Sequence, residues 1–183
     1  MATATSWTST KERRGIVTFK ANPLTLIGPA ISVGQQAPEF QVLTQDLAPV
    51  TLGSSKGSVR LISVVPSLDT PICDAQTRRF NEEAARFPEA VAVMTISMDL
   101  PFAQKRWCGS AGVNRIQVLS DHRDASFGTA YGTLIKELRL LARSVFVIDE
   151  RDSVQYVEYV SEVTTPPHYD AALAAVRSLI QTQ

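Results

Sequence analysis

The sequence predicts a mixed α/β fold, and three observations carry that prediction. Apolar runs of strand length recur, among them Leu61-Ile62-Ser63-Val64-Val65, Val91-Ala92-Val93-Met94-Thr95-Ile96-Ser97 and Arg143 to Asp149. Between and after them lie stretches whose apolar residues return at steps of three and four, as Cys73, Thr77, Phe80, Ala84 and Phe87 do. That spacing places them on one face of a helix. Turn-forming residues separate the two kinds of segment, so strands and helices alternate along the chain. A length of 183 residues suits one domain with a sizeable core.

Taken in order, Gly15 to Ile27 reads as a hairpin: Val17 and Phe19 alternate with polar residues, Asn22-Pro23 supplies the turn, and Leu24 and Leu26 resume the alternation. Phe40, Val42 and Thr51-Leu52 flank a polar turn and form a short extended pair. Gly53-Ser54-Ser55-Lys56-Gly57 is turn chemistry and lacks the spacing of a phosphate-binding loop. Val59 to Val65 is the first core strand and Pro71 to Phe87 the first long helix, with Arg78, Arg79, Glu82, Glu83 and Arg86 on its solvent face. Val91 to Ser97 is the next buried strand. Asp99 is placed to cap a second helix, with Pro101 near its first position and its end near Gly109. Ile116 to Leu119 is a short strand, and Asp124 to Tyr131 a short helix that stops at Gly132. Arg143 to Asp149 is a strand after a charged segment, and Asp152-Ser153 turns it back into Val154 to Val160. There Val154, Tyr156, Glu158 and Val160 are expected to face one way. Tyr169 to Ile180 is a final amphipathic helix with Leu173, Val176, Leu179 and Ile180 on its apolar side.

Composition narrows the function classes. Eighteen basic and 18 acidic residues give a formal net charge of zero, which argues against a nucleic-acid or anionic-membrane surface. No apolar run approaches the roughly 20 residues of a membrane span. The Ser/Thr-rich start, Met1 to Arg14, lacks the apolar core of a secretory signal, so it is expected to be a disordered tail before a single domain over residues 15–183, in a cytoplasmic protein. Two cysteines cannot make a disulfide framework, and no Cys-x-x-Cys is present. Cys73, Cys108, His122 and His168 lack the short paired spacings of a zinc site.

The chain is organised around Pro66-Ser67-Leu68-Asp69-Thr70-Pro71-Ile72-Cys73, between the first core strand and the first helix. Thr70 suits the N-cap, and Pro71 suits the first helical position, where its missing N–H would be unpaired in any case. Cys73 then falls in the first turn. An isolated cysteine is ordinarily a small inert hydrophobe. In this place it is a candidate nucleophile, because a helix start offers free N–H groups and partial positive charge to a thiolate.

Pro-x-x-x-Thr-x-x-Cys after a strand resembles the peroxidatic motif of the peroxiredoxins. The fuller stretch from Pro66 to Asp74, with Thr77 and Phe80-Asn81 behind it, resembles the thiol peroxidase subfamily. Asp99 to Gly109 is similar to the segment that carries that subfamily's resolving cysteine, and Leu141 to Asp149 to the strand that carries its active-site arginine. The likeness runs from about Val17 to about Ile180. It implies a thioredoxin-like fold, with a central mixed sheet flanked by helices and an N-terminal β-hairpin. It also implies that Cys73 reduces hydrogen peroxide and organic hydroperoxides and becomes a sulfenic acid, with Thr70, Arg143 and Pro66 around it. Cys108 would then close a Cys73–Cys108 disulfide, which thioredoxin reduces. Because the two cysteines sit on separate elements, that bridge is expected to need local unfolding. The resemblance implies a homodimer and no haem, flavin, metal or nucleotide.

Two departures stand out: the tail before Gly15 is longer than the subfamily's, and Gly132 to Arg139 is shorter and less glycine-rich. Two other classes remain to be weighed. A thiol–disulfide oxidoreductase acting on proteins would carry a Cys-x-x-Cys. A non-catalytic binding module would not need Pro66, Thr70, Cys73 and Arg143 together.

Overall fold

The computed structural model describes residues 11–181. In chain order the strands and helices are β1 (Glu12–Phe19), β2 (Asn22–Ile27), β3 (Gln41–Leu43), β4 (Pro49–Thr51), β5 (Val59–Val64), α1 (Pro71–Ala84), β6 (Val91–Ser97), α2 (Pro101–Ala111), β7 (Gln117–Ser120), α3 (Ser126–Ala130), β8 (Leu134–Ile135), β9 (Ser144–Ile148), β10 (Val154–Tyr159) and α4 (Tyr169–Gln181). Seven strands form the main sheet in the order β10-β9-β5-β6-β7-β3-β4, and β1-β2-β8 form a smaller one. The β5–β6 and β6–β7 pairs are parallel, whereas β9 runs antiparallel to β5 and β3 antiparallel to β7. This is the central mixed sheet with flanking helices that a thioredoxin-like fold requires.

β5 lies inside the sheet, between β9 and β6, and is buried on both faces, which accounts for its largely apolar sequence. Leu61, Val93, Val145 and Val147 meet Phe80 of α1 and Leu173 and Val176 of α4 on one face. Ile62, Val64, Met94, Ile96 and Phe146 meet Phe127 and Tyr131 on the other. Phe127 and Tyr131 stack at 4.3 Å between centroids, and Phe146 meets each of them edge-on. Arg60, in the same strand, is also fully buried; it is neutralised by Asp152 at 2.7 Å and donates to the Asp149 carbonyl.

Several expected boundaries shift, each for a local reason. β1 begins at Glu12, so the last three residues of the expected tail belong to the hairpin; residues 1–10 of that tail lie outside the described residues. The hairpin turns at Lys20-Ala21, both in the left-handed region at φ 50° and 65°, and not at Asn22-Pro23. Such a pair matches the right-handed twist of its strands, and the Glu162 carboxylate accepts from both of its amides. The first helix ends at Ala84 because Pro88 disfavours helical backbone at Phe87.

The second helix is not capped by Asp99; its N-cap is Leu100, and it runs past Gly109 to Ala111, where Gly112 takes the left-handed closing position. The short helix starts at Ser126, two residues later than expected, because the Asp121 carboxylate accepts from the amides of Phe127 and Gly128 and sets its start. β8 was hidden in a segment that reads as charged loop; it pairs with β2 and joins the hairpin to the rest of the protein. A register shift between Val154 and Tyr156 breaks the expected alternation in β10. Val154, Val157 and Tyr159 pack into one core, and Tyr156 into the other.

Candidate active site

Cys73 occupies the third position of α1 and is fully buried. Arg143 precedes β9 by one residue and is 2% exposed. The guanidinium crosses the interior so that Nη2 stands 3.3 Å from Cys73 Sγ, across a separation of 70 positions. Three further donor contacts fix its plane. Nε and Nη2 donate to the Val163 carbonyl at 3.1 and 3.0 Å, and Nη1 donates to Gln76 Oε1 at 2.7 Å. Gln76 in turn donates to Ser63 Oγ at 2.8 Å, so the arginine is tied to β5 through α1. Among the described residues no carboxylate lies within ion-pair distance of Arg143. A buried cation held only by neutral acceptors is costly by several kcal/mol, and an anion formed beside it would offset that cost.

Pro66, Thr70 and Arg143 line a groove of about 460 Å³ above this pair, together with Phe19, Ile135, Leu138, Leu140 and Val163. The apolar part of that wall comes from the hairpin, β8 and the segment before Arg143. Thr70 holds the N-cap position by its backbone, with its carbonyl accepting from Asp74 N. Its hydroxyl does not cap the helix; it donates to the Ser67 carbonyl at 3.1 Å, at the mouth of the groove. The loop before it is pinned from below by Asp99. That carboxylate accepts from Ser67 Oγ at 2.7 Å, Leu68 N at 2.8 Å and Ser97 Oγ at 2.7 Å. The residue expected to cap α2 therefore braces the Pro66–Thr70 loop.

Cys108 lies three residues before the end of α2, in the same apolar cluster as Cys73, Val65, Leu68, Val113 and Val118. Both thiols are free. Burial pushes the Cys108 thiol up, and a hydrogen bond from Gln45 Nε2 at 3.2 Å offsets part of that. Trp107 beside it is overlain by the Arg78 guanidinium at 5.7 Å, and Arg78 also donates to the Ala111 carbonyl. One side chain of α1 thus clasps the last two turns of α2. Among the described residues no group of three or more histidine, cysteine or acidic side chains could hold a metal ion. His122 pairs with Ser120 Oγ and His168 with Glu158.

Sequence reasoning missed Gln76, although it lies three positions after Cys73 and hence one turn along the same helix. It also missed the Val163 carbonyl, for which no side-chain signal exists.

A thioredoxin-like sheet that presents a buried thiol at a helix start, facing a guanidinium from a neighbouring strand, defines the redox-active class of such proteins. The family model "Redoxin" matches residues 32–173. The thiol peroxidase of Halalkalibacterium halodurans is 62% identical over 164 residues, covering 90% of this chain and 98% of its own. That of Bacillus subtilis is 58% identical over 165 residues, with the same coverage. Among solved structures, a peroxiredoxin-like protein from Aquifex aeolicus superposes with a TM-score of 0.84 at 45% identity, over 89% of this chain and 96% of its own. A thiol peroxidase from Chromobacterium violaceum shares the fold, with a TM-score of 0.80 at 20% identity over 91% of this chain and 98% of its own. The chain belongs to the redoxin family and, within it, to the thiol peroxidase subfamily of the peroxiredoxins. It is a peroxidase.

Proposed function

We propose that Cys73 is the peroxidatic nucleophile and Cys108 the thiol that resolves it. The observation that carries the reading is the buried Arg143, held by neutral acceptors and facing Cys73 Sγ at 3.3 Å. The Cys73 thiolate attacks the terminal oxygen of a hydroperoxide. The S–O bond forms as the O–O bond breaks, and the departing alkoxide or hydroxide takes a proton to leave as alcohol or water. Arg143 offers N–H donors to the charge that builds on sulfur and on the departing oxygen, the kind of stabilisation worth about 3 kcal/mol per donor. Thr70 can accept from, or re-aim its hydroxyl at, a peroxide oxygen in the groove, and Pro66 excludes water from the sulfur. The apolar walls supplied by Phe19, Ile135, Leu138 and Leu140 suit the organic part of an alkyl hydroperoxide as well as hydrogen peroxide.

In the second step the Cys108 thiolate attacks the sulfur of the Cys73 sulfenic acid. An S–S bond forms, the S–O bond breaks, and hydroxide leaves as water. Disulfide geometry needs Cα atoms within about 7 Å, and α1 and α2 each hold their cysteine by backbone hydrogen bonds, so the bridge requires one helix end to unwind. A dithiol protein, thioredoxin, then reduces the bridge. A homodimer in the cytoplasm, with one domain behind an N-terminal tail, completes the reading.

The test is consumption of hydrogen peroxide and of an alkyl hydroperoxide, coupled to thioredoxin, its reductase and a nicotinamide reductant. Turnover by the parent and none by Cys73→Ser is the expected result. Turnover that survives in folded Cys73→Ser would remove the thiol from the mechanism.

A further inference from the structure

Lys105 and Cys108 are three positions apart on α2, so they share one helical face. That face meets the turn between β3 and β4. Gln45 Nε2 donates to Cys108 Sγ at 3.2 Å, and Asp46 Oδ1 pairs with Lys105 Nζ at 2.7 Å. Adjacent residues of one turn therefore grip adjacent residues of one helical face. The turn is itself braced. Thr44 Oγ1 accepts from the amides of Asp46 and Ala48, Leu47 N donates to the Thr44 carbonyl, and Leu47 takes the left-handed conformation at φ 66°. Leu43 pairs with Ser120, which ties the turn to the same strand, β7, on which α2 packs.

We propose that Gln45 is a positioning residue for Cys108: the β3–β4 turn is a latch that holds the resolving cysteine in α2 while it is a thiol and lets go when it becomes a disulfide. The inference rests on the reading of Cys108 as the resolving thiol. Its logic is thermodynamic. The amide N–H of Gln45 meets a sulfur that, once bonded to Cys73, has left this face of the helix. A contact made by only one of two states shifts the balance toward that state by the contact's own free energy. The Asp46–Lys105 pair is solvent-exposed and adds little energy. Gln45 carries the effect, because its partner is buried and has no other hydrogen-bond donor among the described residues.

The test uses full-length parent and Gln45→Ala protein. The midpoint of the Cys73–Cys108 disulfide is set against a dithiol redox buffer, and thermal unfolding is followed for the reduced and the oxidised forms separately. Removing a contact found only in the reduced form makes the disulfide easier to form. We expect a three- to tenfold shift of the equilibrium toward disulfide, which lowers the potential by about 15–30 mV. The bridge should also form two- to tenfold faster after peroxide is added, and only the reduced form should lose thermal stability. Equal loss in both forms with an unchanged potential would make Gln45 an ordinary structural contact and overturn the latch. So would a shift of the potential in the opposite direction. Peptide mapping of peroxide-treated parent separates this failure from a deeper one. If the parent forms no Cys73–Cys108 bridge, the reading of Cys108 falls and the latch with it. If it forms the bridge but Gln45→Ala changes nothing, only the latch falls.

Discussion

Gln76 Oε1 accepts a 2.7 Å hydrogen bond from Arg143 Nη1, so a residue one turn beyond Cys73 holds the cation that faces it. Gln76→Ala should lower the second-order rate constant for hydroperoxide by about tenfold. It should also cost about 1–3 kcal/mol of stability, because a buried guanidinium N–H and the Ser63 hydroxyl lose a partner. Gln76→Glu should slow the reaction by a different route, since a carboxylate there would compete with sulfur for the charge of Arg143. Arg143→Lys keeps the charge and loses the planar fork, and should cost at least about tenfold. Stopped-flow peroxide kinetics alongside urea unfolding resolve the two effects. A Gln76→Ala enzyme as fast as the parent would leave Gln76 with a role in folding alone.

The two cysteines should fail differently. Cys73→Ser should give no reaction with peroxide. Cys108→Ser should react once and then stall as a sulfenic acid or oxidise further, with thioredoxin-linked turnover lost. Intact mass of the peroxide-treated variants reads both outcomes. Normal turnover by Cys108→Ser would mean that an external thiol resolves Cys73 directly.

Trp107 adjoins Cys108 and is covered by Arg78, while Trp7 lies outside the described residues. If Cys108 leaves α2 to reach Cys73, the clasp of Arg78 on Trp107 and on the Ala111 carbonyl must open. Tryptophan fluorescence should therefore shift when peroxide meets reduced protein and return with a dithiol. Amides of α2 should lose hydrogen-exchange protection in step with it. Cys108→Ser should show neither change. The full shift in that variant would assign the signal to the sulfenic acid.

Two carboxyls should give stability opposite slopes with pH. Burial lifts Asp121 to about 6, so it binds a proton more readily in the folded than in the unfolded chain. Its contribution is fully present below about 4, the unfolded carboxyl range, and is lost as pH rises through about 6. Glu162 is held at about 2, first by the Thr18 hydroxyl, then by Thr164 and the amides of the hairpin turn. Its contribution is present above the unfolded value and is lost as pH falls toward 2. Thermal midpoints from pH 2 to 8 should therefore show an acid drop that Glu162→Gln blunts. They should also show a decline between pH 4 and 6 that Asp121→Asn removes. Identical profiles for parent and variants would refute both assignments.

Much of this molecule was legible in the sequence because its signals are local. A fully buried strand such as β5 is largely apolar, with Arg60 and Ser63 the exceptions, and the Thr70-Pro71 start of α1 is written in adjacent residues. Cys73 could be singled out as a candidate for the same reason, whereas Arg143 was singled out through the family resemblance. What remained hidden depends on residues far apart in the chain. Asp99 looked like a cap because it precedes Pro101, yet the loop at Ser67 and Leu68 lies close enough to claim its carboxylate first. Tyr156 left the face predicted by alternation because one extra residue bulges in β10. β8 is two residues long, and only pairing with β2 defines it. The Val163 carbonyl that orients Arg143 has no side chain to announce it.

The brace from Asp99 also bears on how quickly the enzyme can be used again. Between the end of β5 and the start of α1, Ser67 and Leu68 are fastened to Asp99, and Asp69 and Thr70 bond back only to Ser67, so this short connection hangs from one fixed point. If the bridge is made by opening the first turn of α1, the chain that must find its place again is a leash of a few residues and not the whole crossover. Closure entropy rises with the length of the free segment, so the rewinding carries little search. On the proposed mechanism the site is then restored by zipping from a fixed point.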